Sequence, residues 1–511
     1  MVKNAVGRDI PQELTDKHGL YEGEFANRAE YRRAAGSVRA VQPGETKLLG
    51  SIKEAIEKAG LKDGMTISFH HHFREGDAIL NKVMDVIAEM GFKNISIAPS
   101  SIANVHAPLI DHIKNGVVTN ITSSGLRDEL GAAISEGIMD NPVIIRSHGG
   151  RASAIESGRI KINIAFLGAP SSDIYGNVNG TKGKAPCGSL GYAKVDAKYA
   201  DKVIVLTDHL VPYINTPISI PQTDVDYVVE VDTIGDPDGI AKGATRITQN
   251  PKDLLIAEAA SKVIEASPYF KEGFSFQTGT GGATLAVSRY LATAMREKNI
   301  KASFALGGIT TQMGNMLEEG LVESVIDTQT FDKGGIQSMI NNPNHYEIDA
   351  SFYASPSNKG AAVNQLDVVV LSALEIDTDF NVNVLTGSDG VIRGASGGHS
   401  DTGAGAKLTI ICAPLIRGRI ATVVDKVNTV VTPGDSIDIV VTEVGIAVNP
   451  KRQDLIDVLK GTGLQMFTME ELKNKAYNIV GIPKPIKYGD KTVAVIEYRD
   501  GTIIDTVNNI V

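Results

Sequence analysis

The chain is written twice. The stretch Ser68-Phe69-His70-His71-His72, running on to Asp77-Ala78-Ile79-Leu80, is echoed by Ser275-Phe276-Gln277-Thr278-Gly279, running on to Ala283-Thr284-Leu285-Ala286-Val287. Ile95 to Ile102 is echoed by Ala302 to Ile309, Ile162 to Asn179 by Leu366 to Asn383, and Lys202 to Leu206 by Lys407 to Ile411, each about 205 residues downstream. Each match is weak, but four in one order at one spacing define two long units, not a solenoid of short repeats. The expectation is two tandem copies of one domain, with a cleft between them as the natural place for chemistry.

Length agrees. A chain of 511 residues exceeds the roughly 250–300 that a single core fills. The formal net charge is −10, so no general attraction to nucleic acid or an anionic membrane is expected, and an acidic ligand must meet a local basic patch. No apolar run reaches the ~20 residues of a membrane span, and the N-terminal stretch with Asp9, Glu13 and Asp16 lacks a secretory core. Two cysteines, Cys187 and Cys412, supply no framework of bridges. A soluble, cytoplasmic protein is expected.

Residues 1–50 read as an irregular leader carrying a basic stretch from Arg28 to Arg39. The first domain is expected over 51–245 and the second over 246–511. Ser51-Ile52-Lys53-Glu54 has the spacing of a capping box. A helix follows with Ile79, Val83, Ile87 and Met90 on one face, stopped by Gly91. Met65–Phe69, Ile95–Ala98, Ile162–Leu167, Val203–Leu206 and Tyr227–Val231 are apolar at consecutive positions, as parallel strands buried on both faces are. Asp236-Pro237-Asp238-Gly239 punctuates the end of the unit, and a helix over about 251–266 leads into the second copy. There Ala283–Lys298 repeats the helix, and Ala302–Leu306, Val368–Leu371, Leu408–Cys412 and Ile437–Val441 supply strands. The fold class is α/β, built from βαβ units in open sheets.

Four segments can carry chemistry. Gly279, Thr280, Gly281 and Gly282 lie between a strand and a helix, where backbone N–H groups and the helix N-terminus can hold a phosphate or an oxyanion. A tight turn is the alternative. The absence of the G-x-G-x-x-G pattern argues against a dinucleotide site. The matching loop of the first copy carries His70, His71, His72 and Arg74 instead. Three adjacent histidines cannot all face one metal ion, so His72 and Arg74 are read as binders of an anionic substrate. Arg146, His148 and Arg151, around Gly149-Gly150, read as a further carboxylate or phosphate cradle, with a solvated turn as the alternative. Finally, Gly394 to Ala406 is almost bare of side chains, leaving His399 and Asp401 as its titratable groups beside Gly397 and Gly398.

The last loop, the text from Thr66 to Asp77 and the segment Gly7-Arg8-Asp9-Ile10-Pro11 resemble the citrate lyase alpha-subunit family of the CoA-transferase superfamily over essentially the whole chain. That resemblance implies two tandem duplicated open parallel-sheet domains of the NagB/RpiA/CoA-transferase-like type. It implies exchange of acetyl for citryl on a CoA-like thiol, with release of acetate. Implied partners are a citrate lyase beta subunit and an acyl carrier (gamma) subunit bearing a dephospho-CoA-derived group, in a hetero-oligomeric complex with this chain as a homo-oligomer. Nothing is expected to be covalently bound to this chain, and no metal is required. On the resemblance, Gly397, Gly398, His399 and Asp401 are expected to be catalytic, Gly279, Thr280, Gly281, Gly282 and Gly403 to bind CoA, and His72, Arg74, Arg146, His148 and Arg151 to bind the acid.

One departure bears on mechanism. Better-known CoA-transferases attack the thioester with a glutamate after a strand of the second half, whereas the equivalent place here is Leu306-Gly307-Gly308-Ile309. The expectation is direct attack by a citrate carboxylate through a mixed anhydride. An enzyme glutamate (Glu318, Glu319 or Glu375), a citramalate-specific relative, and a scaffold that only docks partners remain the alternatives.

Overall fold

The computed structural model describes residues 1–23, 44–242, 248–279 and 281–511. Two large sheets organise it. The first runs, edge to edge, through Ile503–Ile510, Tyr488–Glu497, Val143–Ile145, Val118–Ser123, Ile95–Ile97, Thr66–Ser68, Ile164–Ala169, Lys202–Thr207, Tyr227–Glu230 and Leu48–Leu49. The second runs through His345–Glu347, Val322–Thr330, Ala302–Ile309, Ser275–Thr278, Val368–Ser372, Leu408–Cys412, Ile439–Thr442, Gly445–Val448 and Met466–Phe467. From Val143–Ile145 to Tyr227–Glu230, and from His345–Glu347 to Ile439–Thr442, the order of strands along the chain is the same.

Detail matches as well. The hairpin Ser171–Ser172 with Val178–Asn179 corresponds to Glu375–Asp377 with Val382–Asn383. In the first, Asp173 accepts the amides of Tyr175 and Asn177 on one oxygen and the Asn177 carboxamide on the other. In the second, Asp377 accepts the amides of Asp379 and Asn381 and the Asn381 carboxamide in the same way. A short Asp side chain that caps its own turn makes this local shape independent of the surroundings.

Local signals place most elements. Ser51 Oγ accepts the Glu54 amide at 3.1 Å while Glu54 accepts the Gly50 amide, and the helix Ile52–Ala59 follows. Ile79, Val83 and Ile87 are buried along the helix Ile79–Glu89, and Pro251–Ala266 and Gly282–Lys298 are long helices as the periodicity predicts.

Tertiary pairing departs from expectation in three places. The hairpin Tyr488–Glu497/Ile503–Ile510 joins the first sheet, alongside Val143–Ile145, so the range 246–511 does not stay with the second sheet. Leu48–Leu49 pairs with Val228–Val229, and the described part of the leader folds back: Val2–Lys3 pairs with Asp9–Ile10, the helix Gln12–His18 follows, and Ile10 packs on Val495 and Ile503. The basic stretch from Arg28 to Arg39 lies outside the described residues. Both sheets are mixed, not purely parallel, because the C-terminal hairpin and the pair Ile439–Thr442/Gly445–Val448 run antiparallel. Antiparallel strands joined by a short turn need no crossover, so they add at sheet edges. Among the described residues no helix is long and apolar enough to cross a membrane.

Candidate active site

A cavity of about 540 Å³ opens where strands of both sheets end. Thr278 and Gly279, Gly307 and Gly308, and Ser372 close the second sheet's side, while His71, Ser124 and His148 follow strands of the first. Ligands gather at the carboxyl ends of strands in open α/β sheets because loops there diverge and expose backbone. The loops at Gly279–Gly281 and Gly394–His399 face this one space. The second of them is held against the first sheet's loops by a bridge between Gly125 and Ala395 and by the His148 amide, which donates to the Gly397 carbonyl at 2.8 Å.

Two guanidinium groups stand out. Arg74 has a buried Nη1 with no hydrogen-bond partner, and its side chain lies over the Phe331 ring at 5.2 Å. Burial, with the neighbouring charge of Arg127, lowers its pKa to about 10, still charged at neutral pH. Arg127, the first residue of its loop to reach the cavity beyond Gly125, accepts the Gly131 amide on its carbonyl, but its guanidinium makes no hydrogen bond or ion pair with a protein group among the described residues. The cavity's only carboxylates, among the described residues, are Glu75 and Asp128. Glu75 accepts the Asn104 and Val105 amides at 3.3 Å, and Asp128 is exposed. Glu75 offsets part of the Arg74 charge, but neither guanidinium is in an ion pair among the described residues, and two such neighbouring cations favour an acidic ligand.

The imidazoles here are neutral. Burial, joined by the charge of Arg151, pushes His148 down to about 3. Burial, with the charges of His148 and Arg74, pushes His71 well below its ordinary value. His71 stacks on Tyr192 at 4.8 Å between centroids, and His148 packs on it at 4.5 Å with its ring tilted by 41°. His71 Nδ1 meets Ser100 Oγ at 2.6 Å, and its carbonyl accepts Gln329 Nε2. Burial likewise lowers His399 to about 4, although its bond to a carbonyl opposes this. His399 Nε2 donates to Ser372 O at 2.9 Å and Nδ1 accepts from Thr432 Oγ1 at 2.7 Å, so its ring carries no free nitrogen. Lowered values mean these rings take up protons only in acid. At saturating substrates kcat should therefore show no histidine ionisation between about pH 5.5 and 8. A bell with an inflection near 6.5 would contradict this assignment.

The expected site residues divide. Arg74, His148, Gly279, Gly281, Gly397, Gly398 and His399 line the cavity. Gly282 lies beside it, on an adjoining pocket that shares Gly281, Ser372 and Arg417, and Thr280 falls outside the described residues. Arg146 does not reach the cavity. It is forked onto Glu497 at 2.7 and 2.7 Å. Arg151 is spent in the same way on Asp196, at 2.8 and 2.7 Å, and on the Ala98 carbonyl. His70 also donates to Asp196, and His72 is buried against His70 with its ring held neutral by burial. Buried guanidinium groups need carboxylates more than a ligand does, because an unpaired buried charge costs several kcal/mol.

Asp401 is also outside the cavity. Its oxygens accept Ser147 Oγ and the Gly149 amide at 2.8 Å each, with Arg499 Nε at 3.4 Å. It thus clamps the glycine-rich helix His399–Gly405 to the start of the helix His148–Glu156. Gly403 is buried inside the short helix, its carbonyl taken by Thr409.

Other cavity residues escaped sequence reasoning: Arg127, His71, Tyr192, Gln277 and Tyr353. A usable signal existed for two of them. Arg127 and Gln277 sit at or just past strand ends, where binding groups concentrate. Of the backbone donors, the Gly279 amide is already committed to the Val370 carbonyl at 2.7 Å. The amides of Gly397 and Gly398 bond to no protein group among the described residues, which leaves them for a developing oxyanion.

Comparisons with known proteins agree with this architecture. A family model described as citrate lyase, alpha subunit, matches residues 45–510. Citrate lyase alpha chains of Haemophilus influenzae and Klebsiella pneumoniae are each 56% identical, covering 97% of this chain and 99% of the former, and 91% of this chain and 92% of the latter. A crystal structure described as the alpha subunit of citrate lyase from Streptococcus mutans in complex with citrate superposes with a TM-score of 0.97 at 66% identity, covering 100% of both chains. An alpha subunit of malonate decarboxylase from Acinetobacter baumannii shares the fold at 17% identity, with a TM-score of 0.63 over 86% of this chain and 91% of that one.

Proposed function

The chain belongs to the citrate lyase alpha-subunit family, and on that premise we propose that it is the enzyme component that exchanges acetyl for citryl on a CoA-like thiol and releases acetate. The matching strand orders of the two sheets support reading the chain as two tandem copies of one CoA-transferase-like unit. In this reading the thiol belongs to an acyl carrier subunit, a beta subunit consumes the citryl thioester, and the assembly is a cytoplasmic complex containing several copies of this chain.

The observation that carries the proposal is the pair Arg74 and Arg127, cationic and without carboxylate partners, in a cavity shared by both halves. The Streptococcus mutans relative, described as a citrate complex, supports citrate as the acid. One citrate carboxylate attacks the acetyl thioester carbonyl, forming a C–O bond and a tetrahedral oxyanion. The C–S bond then breaks, leaving a mixed acetyl–citryl anhydride and a thiolate. The thiolate attacks the citryl carbonyl, and acetate departs. No net proton moves, which suits a cavity whose histidines are neutral.

Guanidinium groups offset the charge of a polyanion that must approach a developing oxyanion, and holding both reactants together supplies several kcal/mol, about 7–11 in favourable cases. The unpaired amides of Gly397 and Gly398 are the oxyanion donors of choice, and Gly279, Gly281 and Gly282 offer open backbone to the thioester arm. Glu318, Glu319 and Glu375 do not line the cavity. Glu319 pairs with Arg296, and Glu375 holds Asn383 and Asn428. This favours attack by the substrate carboxylate over attack by an enzyme glutamate.

The test is release of labelled acetate from an acetyl thioester on adding citrate, with sequential kinetics. Gly398→Val should stop it, since a Cβ there would run into the buried Tyr353 hydroxyl, and circular dichroism checks that the variant is folded. No acetate release, or a trapped acyl-glutamate with ping-pong kinetics, would overturn the proposal.

A further inference from the structure

Six of the residues lining the cavity carry a buried polar side-chain atom without a partner: Arg74 Nη1, Ser124 Oγ, His148 Nδ1, Gln277 Oε1, Thr278 Oγ1 and Thr328 Oγ1. Buried polar atoms are normally satisfied, so a cluster of orphans marks where a ligand's own polar groups go. Their chemistry is not uniform. A guanidinium only donates, hydroxyls turn to either role, and a neutral imidazole chooses by tautomer. Gln277 Oε1 alone can only accept, so it needs a donor from the ligand.

That oxygen is held in place. Gln277 is 7% exposed, and its Nε2 donates to the Tyr353 hydroxyl at 2.9 Å. Its carboxamide rests on Gly307, where a Cβ would lie 2.6 Å from Gln277 Cδ and where φ is +104°, so the seat requires glycine on two counts. Tyr353 in turn presses on Gly398. On the other side the wall is continuous from Gly307 through Gly308 and Phe331 to Arg74. Arg74 and Gln277 thus stand on one wall of the cavity, within the same lining.

An ionised polycarboxylate brings acceptors only, unless it also bears a hydroxyl. We propose that Gln277, fixed by Tyr353 and Gly307, is the specificity-determining residue that accepts the hydroxyl proton of a hydroxy-polycarboxylate, and so selects such acids over their deoxy analogues. This rests on the exchange reaction proposed above. A site built to bind a hydroxyl rejects the analogue lacking it because the site's own polar atom is then left buried and unpaired.

The experiment compares citrate with propane-1,2,3-tricarboxylate, the same triacid without the hydroxyl, in the acetyl-exchange assay. The unaltered chain should favour citrate by at least about 100-fold in kcat/KM, and Gln277→Met should bring the ratio below about 10, chiefly by losing citrate. Equal use of both acids by the unaltered chain, or an equal loss of both in Gln277→Met, would overturn the assignment. So would a variant that keeps the acid preference but no longer separates acetyl-CoA from an acetyl thioester lacking the amide arm, since Gln277 would then read the arm. If Gln277→Met fails to fold, Tyr353→Phe decides, because freeing the carboxamide should narrow the same ratio. If neither acid is exchanged the function itself fails, and thermal-shift titration of the unaltered chain with the two acids still decides whether the hydroxyl is read.

Discussion

Replacing Arg74 and Arg127 together by glutamine should lower kcat/KM for citrate by about 10²–10⁴-fold, with most of the loss in KM and the chain still folded. The size follows from the chemistry of each contact. A hydrogen bond between a guanidinium and a carboxylate contributes about 1.5–3 kcal/mol. Two such losses come to about 3–6 kcal/mol, and every 1.36 kcal/mol is a factor of ten. Stability should hardly suffer, and this separates the prediction from a structural role. Neither group has a carboxylate partner to abandon among the described residues, and removing one of two adjacent like charges relieves repulsion. Arg146→Gln makes the contrasting control, because its fork is occupied by Glu497. A double variant that binds citrate normally, or one that unfolds, would count against Arg74 and Arg127 as the acid's anchor.

The second large effect belongs to stability. Glu497→Gln should destabilise the chain by about 3–5 kcal/mol, because it leaves the buried Arg146 charge uncompensated. The carboxylate is only 1% exposed and also meets Arg159 at 3.3 Å and His18 at 3.0 Å. One residue therefore ties together the C-terminal hairpin, the helix near the N-terminus and the first sheet. Burial alone would raise its pKa, but the charge of Arg146 and the contact with His18 outweigh this and hold it at about 2. A carboxyl depressed in the folded state stabilises it fully above the unfolded value and loses that contribution as pH falls towards the folded one. The difference in stability between the unaltered chain and Glu497→Gln should thus be largest above about pH 4.5 and shrink between there and about pH 2. The midpoint of denaturant unfolding measured against pH, or the half-life of thermal inactivation if unfolding is irreversible, checks it. A variant within about 1 kcal/mol of the unaltered chain, with the same acid profile, would refute the staple.

How much of this was legible depends on the range of the interaction. The helices at 52–59, 79–89, 251–266 and 282–298 follow from caps and periodicity, which involve residues within a turn or two of each other. Buried strands follow from unbroken apolar runs. Gly279, Gly281 and the loop Gly394–Gly398 stand out in the sequence because glycines cluster there, and the structure places them on the cavity. The cations were not sortable in the same way. Arg146 and Arg151 stand in text that reads like an anion cradle, yet the carboxylates that consume them lie 351 and 45 residues away. Asp401 likewise finds its Gly149 partner 252 residues away. Arg127 stands in unremarkable text, and its guanidinium pairs with no group among the described residues.

From the amino-acid order alone came the α/β class, the membership of a family and the position of the open loops, because propensity, capping and turn chemistry act between near neighbours. Only the folded chain decided which guanidinium groups are paired with carboxylates of the protein and which, among the described residues, are not. It also decided that the last hairpin completes the first sheet. Charge pairing and strand pairing are both settled by which distant groups packing brings within about 3 Å and strips of water, and no local pattern carries that distance.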